Sequence, residues 1–258
     1  MIDTVLFDIG GTLITQTRNP ERAILDAQYI IKRLAECGID LNTDAKTLAE
    51  ELLQSSEQYK HLGERTLKEL SPTQIWNDHL LKERLNGRTI DACIAEEFSF
   101  CHDFLRLDNR PREGLLQSLT ELKAMGLKIG IITNTISKTF ADHILKQCGV
   151  YEFFPVIVKS CEFGMRKPDK RIFEHTMSLI GTTKDKTCYV GDTISRDVLG
   201  SRNAGLAMCI RIINPSIAHR DLAYRDESAP KADYDIEKLT EIPEIIRKYN
   251  CKTRSNHD

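Results

Sequence analysis

The chain has 258 residues, 41% of them apolar and 29% charged, which is enough to bury a sizeable core in one large or two modest domains and is ordinary for a soluble globular protein. A formal net charge of −2 supplies no basic excess, so no nucleic acid and no anionic membrane is expected as a partner. The eight cysteines, at positions 37, 93, 101, 148, 161, 188, 209 and 251, form no CxxC pair and have no His at zinc-finger spacing. Several lie in apolar runs, and free thiols in a reducing compartment are expected. The chain opens directly on a strand and no apolar run approaches membrane-spanning length, so the expected location is cytoplasmic.

The first dozen residues organise the rest. Val5, Leu6 and Phe7 form a short apolar run, Asp8 stops it, and Gly10-Gly11-Thr12 turns the chain. A buried parallel strand ending in a carboxylate and a glycine turn is where α/β proteins place chemistry. From about Pro20 to Leu107 apolar residues recur at helical spacing and no strand is expected. One stripe runs from Ala23 to Leu34 and ends at Cys37-Gly38. A second helix is capped by Thr43 or Asp44 and runs to about Leu62, and Ser71-Pro72 opens a third with Trp76 on its packed face. Arg88 to Leu105 supplies a fourth. Four consecutive amphipathic helices read as a helical bundle inserted after the first strand.

From Arg110 the pattern alternates. Helices are expected at Glu113–Met125, from Ser137 to Cys148, from Pro168-Asp169 to Ile180, and at Ile194–Ala204; strands at Leu127–Ile132, Val156–Val158, Thr187–Val190 and Leu206–Ile210. Alternation of this kind implies right-handed crossovers and a parallel sheet covered on both faces. Residues 214 to 232 read as a long loop, Ile242 to Tyr249 as a final helix, and 251–258 as a mobile tail. The expected architecture is therefore an α/β, Rossmann-like core (1–15 and 108–250) with an inserted helical cap (16–107).

Three strands stop at residues that handle metal and phosphate: Asp8, Thr133-Asn134 and Asp192. In a parallel sheet these ends share one edge. Asp8 and Asp192 form a hard-oxygen pair suited to Mg²⁺, Thr133 and the N–H groups after it can cradle an anion, and Lys167 adds a positive charge for a phosphoryl group.

The segments FDIGGTL (7–13), IITNT (131–135), FGMRKPDKRIF (163–173) and YVGDTISRDVLGSRNAGL (189–206) resemble, in order, the four motifs of the haloacid dehalogenase superfamily, and the helical insert is similar to that family's C1 cap. The resemblance implies that Asp8 is a nucleophile forming an aspartyl-phosphate. It implies that Thr133, Asn134 and Thr12 bind the phosphoryl group and that Lys167 neutralises charge. It implies further that Asp8, Asp192 and the Gly10 carbonyl hold Mg²⁺ and that Asp197 holds Lys167 or a metal-bound water. Asp169 and Arg196 read as capping and surface residues.

One departure stands out. The family's phosphatases carry a second aspartate two residues after the nucleophile, as general acid–base; here that position is Gly10. Such a group typically contributes about 10²–10⁴-fold. Three readings follow. A phosphatase of a small phosphorylated metabolite could borrow His61, Glu57, His79 or His102 from the cap, or use substrates with good leaving groups. A dehalogenase or phosphonatase would not need that acid, the latter using a cap lysine (candidates Lys32, Lys46, Lys60, Lys68 and Lys82). A third possibility is a phosphate- or partner-binding protein without turnover. The chain is expected as a monomer or homodimer.

Overall fold

The computed structural model describes residues 1–224 and 228–255. Strand β1 (Thr4–Phe7) is buried along its whole length. It is followed by β2 (Ile14–Arg18), α1 (Pro20–Glu36), α2 (Ala45–Thr66), α3 (Pro72–Ile75), a wide helical turn at Trp76–Leu80, α4 (Lys82–Leu85), α5 (Ala92–Phe104) and β3 (Leu107–Pro111). The alternating part comprises α6 (Leu115–Ala124), β4 (Lys128–Thr133), α7 (Phe140–Gln147), β5 (Val156–Lys159), α8 (Ser160–Phe163), α9 (Lys170–Ile180) and β6 (Thr187–Gly191). A second wide turn at Ile194–Val198 leads to α10 (Leu199–Asn203), β7 (Met208–Ile212), β8 (Tyr234–Ile236) and α11 (Ile242–Ser255).

Six of these strands form one parallel sheet in the order β5-β4-β1-β6-β7-β8, which puts β1 between the two strands that carry the other polar ends. Phe7 pairs with Ile131 on one side and Val190 on the other, so Asp8, Thr133 and Asp192 emerge at the same edge. The period of two along β1 divides the core. Val5 and Phe7 pack with Ile131, Val190, Leu119 and Ile144 on one face, and Leu6 packs with Ile132, Tyr189, Ile172 and Phe173 on the other. This is a Rossmann-like layered α/β architecture.

The inserted helices have their own apolar cluster, built from Ile30 and Leu34 of α1, Leu48 and Leu52 of α2, Ile75, Trp76, and Phe98 of α5. Trp76 is fully buried, and its Nε1 donates to Ser99 Oγ at 2.9 Å, so it packs in a core as expected. Asp44 and Ser71 cap α2 and α3 through their side chains. The helix expected to begin at Ser137 starts at Phe140 with Thr139 in the N-cap position and no side-chain cap there, while Ser137 Oγ accepts from the N–H of Phe140.

Four features differ from expectation. The third helix is interrupted at Trp76–Leu80, where the Leu81 N–H reaches back five residues to the Trp76 carbonyl. The chain enters and leaves the helical insert through an antiparallel ribbon, β2 with β3, running from Ile14↔Pro111 to Arg18↔Leu107. Its sequences ITQTR and LDNRP bury too little for an alternation to show. The segment read as a long loop contains a run of tight helical turns at Pro215–Tyr224 and the edge strand β8; residues 225–227 of it lie outside the described residues. Of the expected mobile tail, 251–255 continue α11 and 256–258 lie outside the described residues.

Candidate active site

The loop after β1 is shaped by one glycine. Gly11 has φ +85°, and a Cβ there would lie 1.8 Å from Asp192 Oδ2, so only glycine lets the loop pass this close. Arg112 holds the loop from outside, with Nε donating to the Thr12 carbonyl at 3.0 Å and its terminal nitrogen to the Gly11 carbonyl.

Lys167 joins the strand ends. Its ammonium, 2% exposed, donates to Asp8 Oδ1, Asp197 Oδ1 and Tyr189 Oη, each at 2.7 Å. All three protons of the group are thereby placed. Thr12 Oγ1 donates to the other oxygen of Asp8 at 3.4 Å. Asp197 Oδ2 accepts from Thr193 Oγ1 at 2.5 Å and from the Thr193 and Asp192 N–H groups at 3.0 and 3.3 Å. Of the two roles expected for Asp197, the geometry therefore displays the contact with Lys167.

Asp192 is differently placed. Its Oδ2 accepts from Asn214 Nδ2 at 2.8 Å, whereas its Oδ1 is buried with no hydrogen-bond partner among the described residues. Oxygens of Asp8, Asp192 and Asp197 lie within 4.8 Å of one another. A buried carboxylate oxygen left unpaired beside two more carboxylates fits a hard divalent cation. The electrostatics agree. Burial, then the neighbouring charges of Asp197 and Asp8, push Asp192 up to about 7. Asp8 is also raised, by burial, with Lys167 opposing. Burial acts on Asp197 in the same direction, but Lys167 and Arg196 overcome it and hold this carboxyl down at about 2.

A cavity of about 700 Å³ opens above Asp8, with Thr133, Asn134 and Gly10 in its floor and residues of α2, α5 and the β2–β3 ribbon around it. Thr133 lines it. Asn134 lines it too, and its amide also braces the Lys167 loop, with Nδ2 donating to the Lys167 carbonyl at 3.1 Å and Oδ1 accepting from the Lys167 N–H at 2.9 Å.

The cap candidates are largely committed elsewhere. His102 is held between Asp26 and Ser56, each at 3.0 Å, and burial lowers its pKa. The His61 side chain is 78% exposed and pairs with Glu64. The His79 ring lies tilted against Tyr59, centroids 5.3 Å apart, and does not line the cavity. Glu57 accepts from Arg18 and Lys60 at 2.6 and 2.9 Å. Of the five lysines considered, Lys60 alone lines the cavity.

Asp169 caps α9, accepting from the Arg171 N–H at 2.8 Å. Arg196 is a correction. Read as a surface residue, it lines the cavity, and the charges of Asp197, Asp192 and Asp8 raise its pKa against the cost of burial. The wide turn at Ile194–Val198 places it there, one residue before Asp197. Sequence reading also missed Asn214, Asp221 and Tyr189. Asp221 caps the wide turn by accepting from the Ile194 and Ser195 N–H groups at 2.8 and 3.0 Å.

The haloacid dehalogenase-like hydrolase family matches residues 2–205, a span that takes in Asp8, Thr133, Lys167 and Asp192. The chain belongs to this family. A glyceraldehyde 3-phosphate phosphatase of Methanopyrus kandleri is 28% identical over 96% of the chain and 98% of its own length. The human N-acylneuraminate-9-phosphatase is 24% identical over 97% and 96%. The solved L-2-haloacid dehalogenase of Xanthobacter autotrophicus, 17% identical, superposes over 96% of this chain and 99% of its own with a TM-score of 0.61, a likeness of fold. Among the described residues no helix is long and apolar enough to cross a membrane.

Proposed function

We propose that this hydrolase is a Mg²⁺-dependent phosphatase of a small phosphorylated metabolite, with Asp8 as the nucleophile that takes up the phosphoryl group. The observation that carries the reading is the three-way contact of Lys167 with Asp8, Asp197 and Tyr189 beside the unpaired Oδ1 of Asp192. The two phosphatase relatives and the size of the cavity support the substrate class.

Asp8, Asp192 and the Gly10 carbonyl would hold Mg²⁺, which when bound offsets negative charge on the phosphoryl oxygens and on Asp8. Asp8 attacks phosphorus through a carboxylate kept in place by Lys167 on one oxygen and Thr12 on the other. Lys167 spreads positive charge over the nucleophile and the transferring group, and Asp197 and Tyr189 keep its ammonium from rotating away. Thr133 and Asn134 receive the phosphoryl oxygens at the floor. The free, buried thiols of Cys101, Cys161, Cys188 and Cys209 support work in a reducing cytoplasm.

The test is phosphate release from a panel of sugar, acyl and aryl phosphates with Mg²⁺, set against Asp8→Asn. Turnover that needs Mg²⁺ and disappears in the variant is expected. Halide release from 2-haloacids without metal, or phosphate binding with no turnover on any ester, would replace this reading with the dehalogenase or the binding-protein one.

A further inference from the structure

Glycine at position 10 removes the side chain that could protonate the leaving group, and the surroundings do not restore it. A Cβ at Gly10 would lie 2.4 Å from Gln16 Oε1, so an amide fills that space. Gln16 is itself tied down, with Nε2 donating to Asn109 Oδ1 at 2.9 Å, and an amide is no acid.

The acids and histidines around the cavity are engaged one by one. Glu69 accepts from Tyr59 Oη at 2.5 Å and Ser160 Oγ at 2.8 Å, and Asp103 accepts from Thr135 Oγ1 at 2.7 Å. Glu57 is paired with Arg18, Glu64 with His61, and His102 is held at both ring nitrogens. The other arginines on the cavity are anchored too: Arg106 Nε donates to the His102 carbonyl at 3.2 Å, and Arg166 pairs with Glu69 at 3.6 Å.

Arg196 differs. It lines the cavity within the electrostatic reach of Asp8, Asp192 and Asp197, yet its guanidinium makes no hydrogen bond and no ion pair among the described residues. A half-buried guanidinium with five unassigned donors beside a nucleophile is arranged to meet an anion.

We propose that Arg196 stabilises the leaving oxygen electrostatically and so takes the place of the proton donor absent at position 10. The inference rests on Asp8 being the nucleophile. When Asp8 attacks, the bond from phosphorus to the leaving oxygen breaks and its electron pair stays on that oxygen. Arg196 donates hydrogen bonds to the growing charge and keeps its own proton, and the released alkoxide or phenoxide is then protonated by water. In the second step water attacks phosphorus, the bond to Asp8 breaks, the carboxylate is restored, and the proton of the water leaves with inorganic phosphate. A guanidinium spreads charge but does not neutralise it by proton transfer. The substrates served best are therefore esters and anhydrides whose leaving groups are stable as anions, such as acyl and aryl phosphates.

The experiment is a series of aryl phosphates, from dinitrophenyl to unsubstituted phenyl, with wild type, Arg196→Lys, Arg196→Gln and Asp8→Asn, each checked by thermal melting. For Arg196→Gln, kcat/KM is expected to fall by about 10²-fold on phenyl phosphate and far less on the dinitrophenyl ester, steepening the dependence on leaving-group basicity. Arg196→Lys recovers part of the loss, and mass spectrometry of acid-quenched Arg196→Gln still finds the phosphoryl group on Asp8. An equal loss across the series, or none, overturns the role of Arg196. Retained turnover in Asp8→Asn overturns the nucleophile reading instead, and the two failures are thereby distinguishable.

Discussion

Replacing Asp192 by asparagine should make the metal-free protein more stable at pH 8, although it removes a group of the candidate metal site. The sign follows from the carboxyl's raised pKa, about 7 against an ordinary 3.8. A carboxyl raised on folding favours the protonated native state, so its contribution is most favourable below pH 4, falls as pH rises, and is fully unfavourable above pH 7. Moving the carboxyl from 3.8 to about 7 corresponds to roughly 4 kcal/mol at most, and relaxation of the site reduces this to about 2–3 kcal/mol. Asparagine keeps the shape and can still accept from Asn214 while carrying no charge. Asp197, held at about 2, contributes in the opposite sense, but its effect is lost only on acidification through that value and is constant between pH 5 and 8. His102, whose pKa burial lowers, weakens the fold below about pH 6.5 in both proteins, so variant and wild type must be compared at the same pH. Urea unfolding in EDTA at pH 5 and pH 8 measures the difference. Asp192→Asn should gain about 2–3 kcal/mol over wild type at pH 8 and little at pH 5, while added Mg²⁺ stabilises wild type and leaves the variant unchanged. An Asp192→Asn protein less stable than wild type at pH 8 in EDTA would refute the reasoning.

Further expectations come from single contacts. Gly11→Ala, which drives a Cβ against Asp192 Oδ2, should abolish Mg²⁺-induced stabilisation in a thermal-shift assay, whereas the Cβ of Gly10→Ala meets only the Gln16 amide, held by one hydrogen bond to Asn109 and not part of the metal site, and should retain it. Glu96 of α5 accepts from the Lys138 and Thr139 N–H groups and from Ser137 Oγ, tying the helical insert to the start of α7. Its replacement by alanine should cost about 1–2 kcal/mol in urea unfolding and raise KM more than it lowers kcat; an unchanged midpoint would remove the tie. The single tryptophan, Trp76, should emit in the blue and resist acrylamide until the helical insert opens, and a red-shifted, readily quenched native spectrum would contradict its burial.

The sheet and its polar edge were legible because each core strand is a short apolar run stopped by one polar residue. Asp8, Thr133 and Asp192 could be placed at one edge from the parallel alternation alone, and Lys167 stood out by its position before Pro168 and a helix start. What escaped was set by geometry over distance. The β2–β3 ribbon is held by backbone pairing between polar sequences, so no hydrophobic period marks it. Asn214 and Asp221 lie in a segment without pattern, and only the folded chain brings them to Asp192 and to the wide turn. Arg196 was misread because a charged residue early in a helix is ordinarily solvated; the wide turn at Ile194–Val198 points it into the cavity instead.

Trapping the intermediate tests the central claim most directly. Acid-quenching the Mg²⁺-loaded enzyme during turnover, followed by peptide mass spectrometry, should find one phosphoryl group on the carboxylate of Asp8 in wild type and none in Asp8→Asn. A phosphoryl group on any other side chain, or steady turnover with Asp8 never modified, would contradict it.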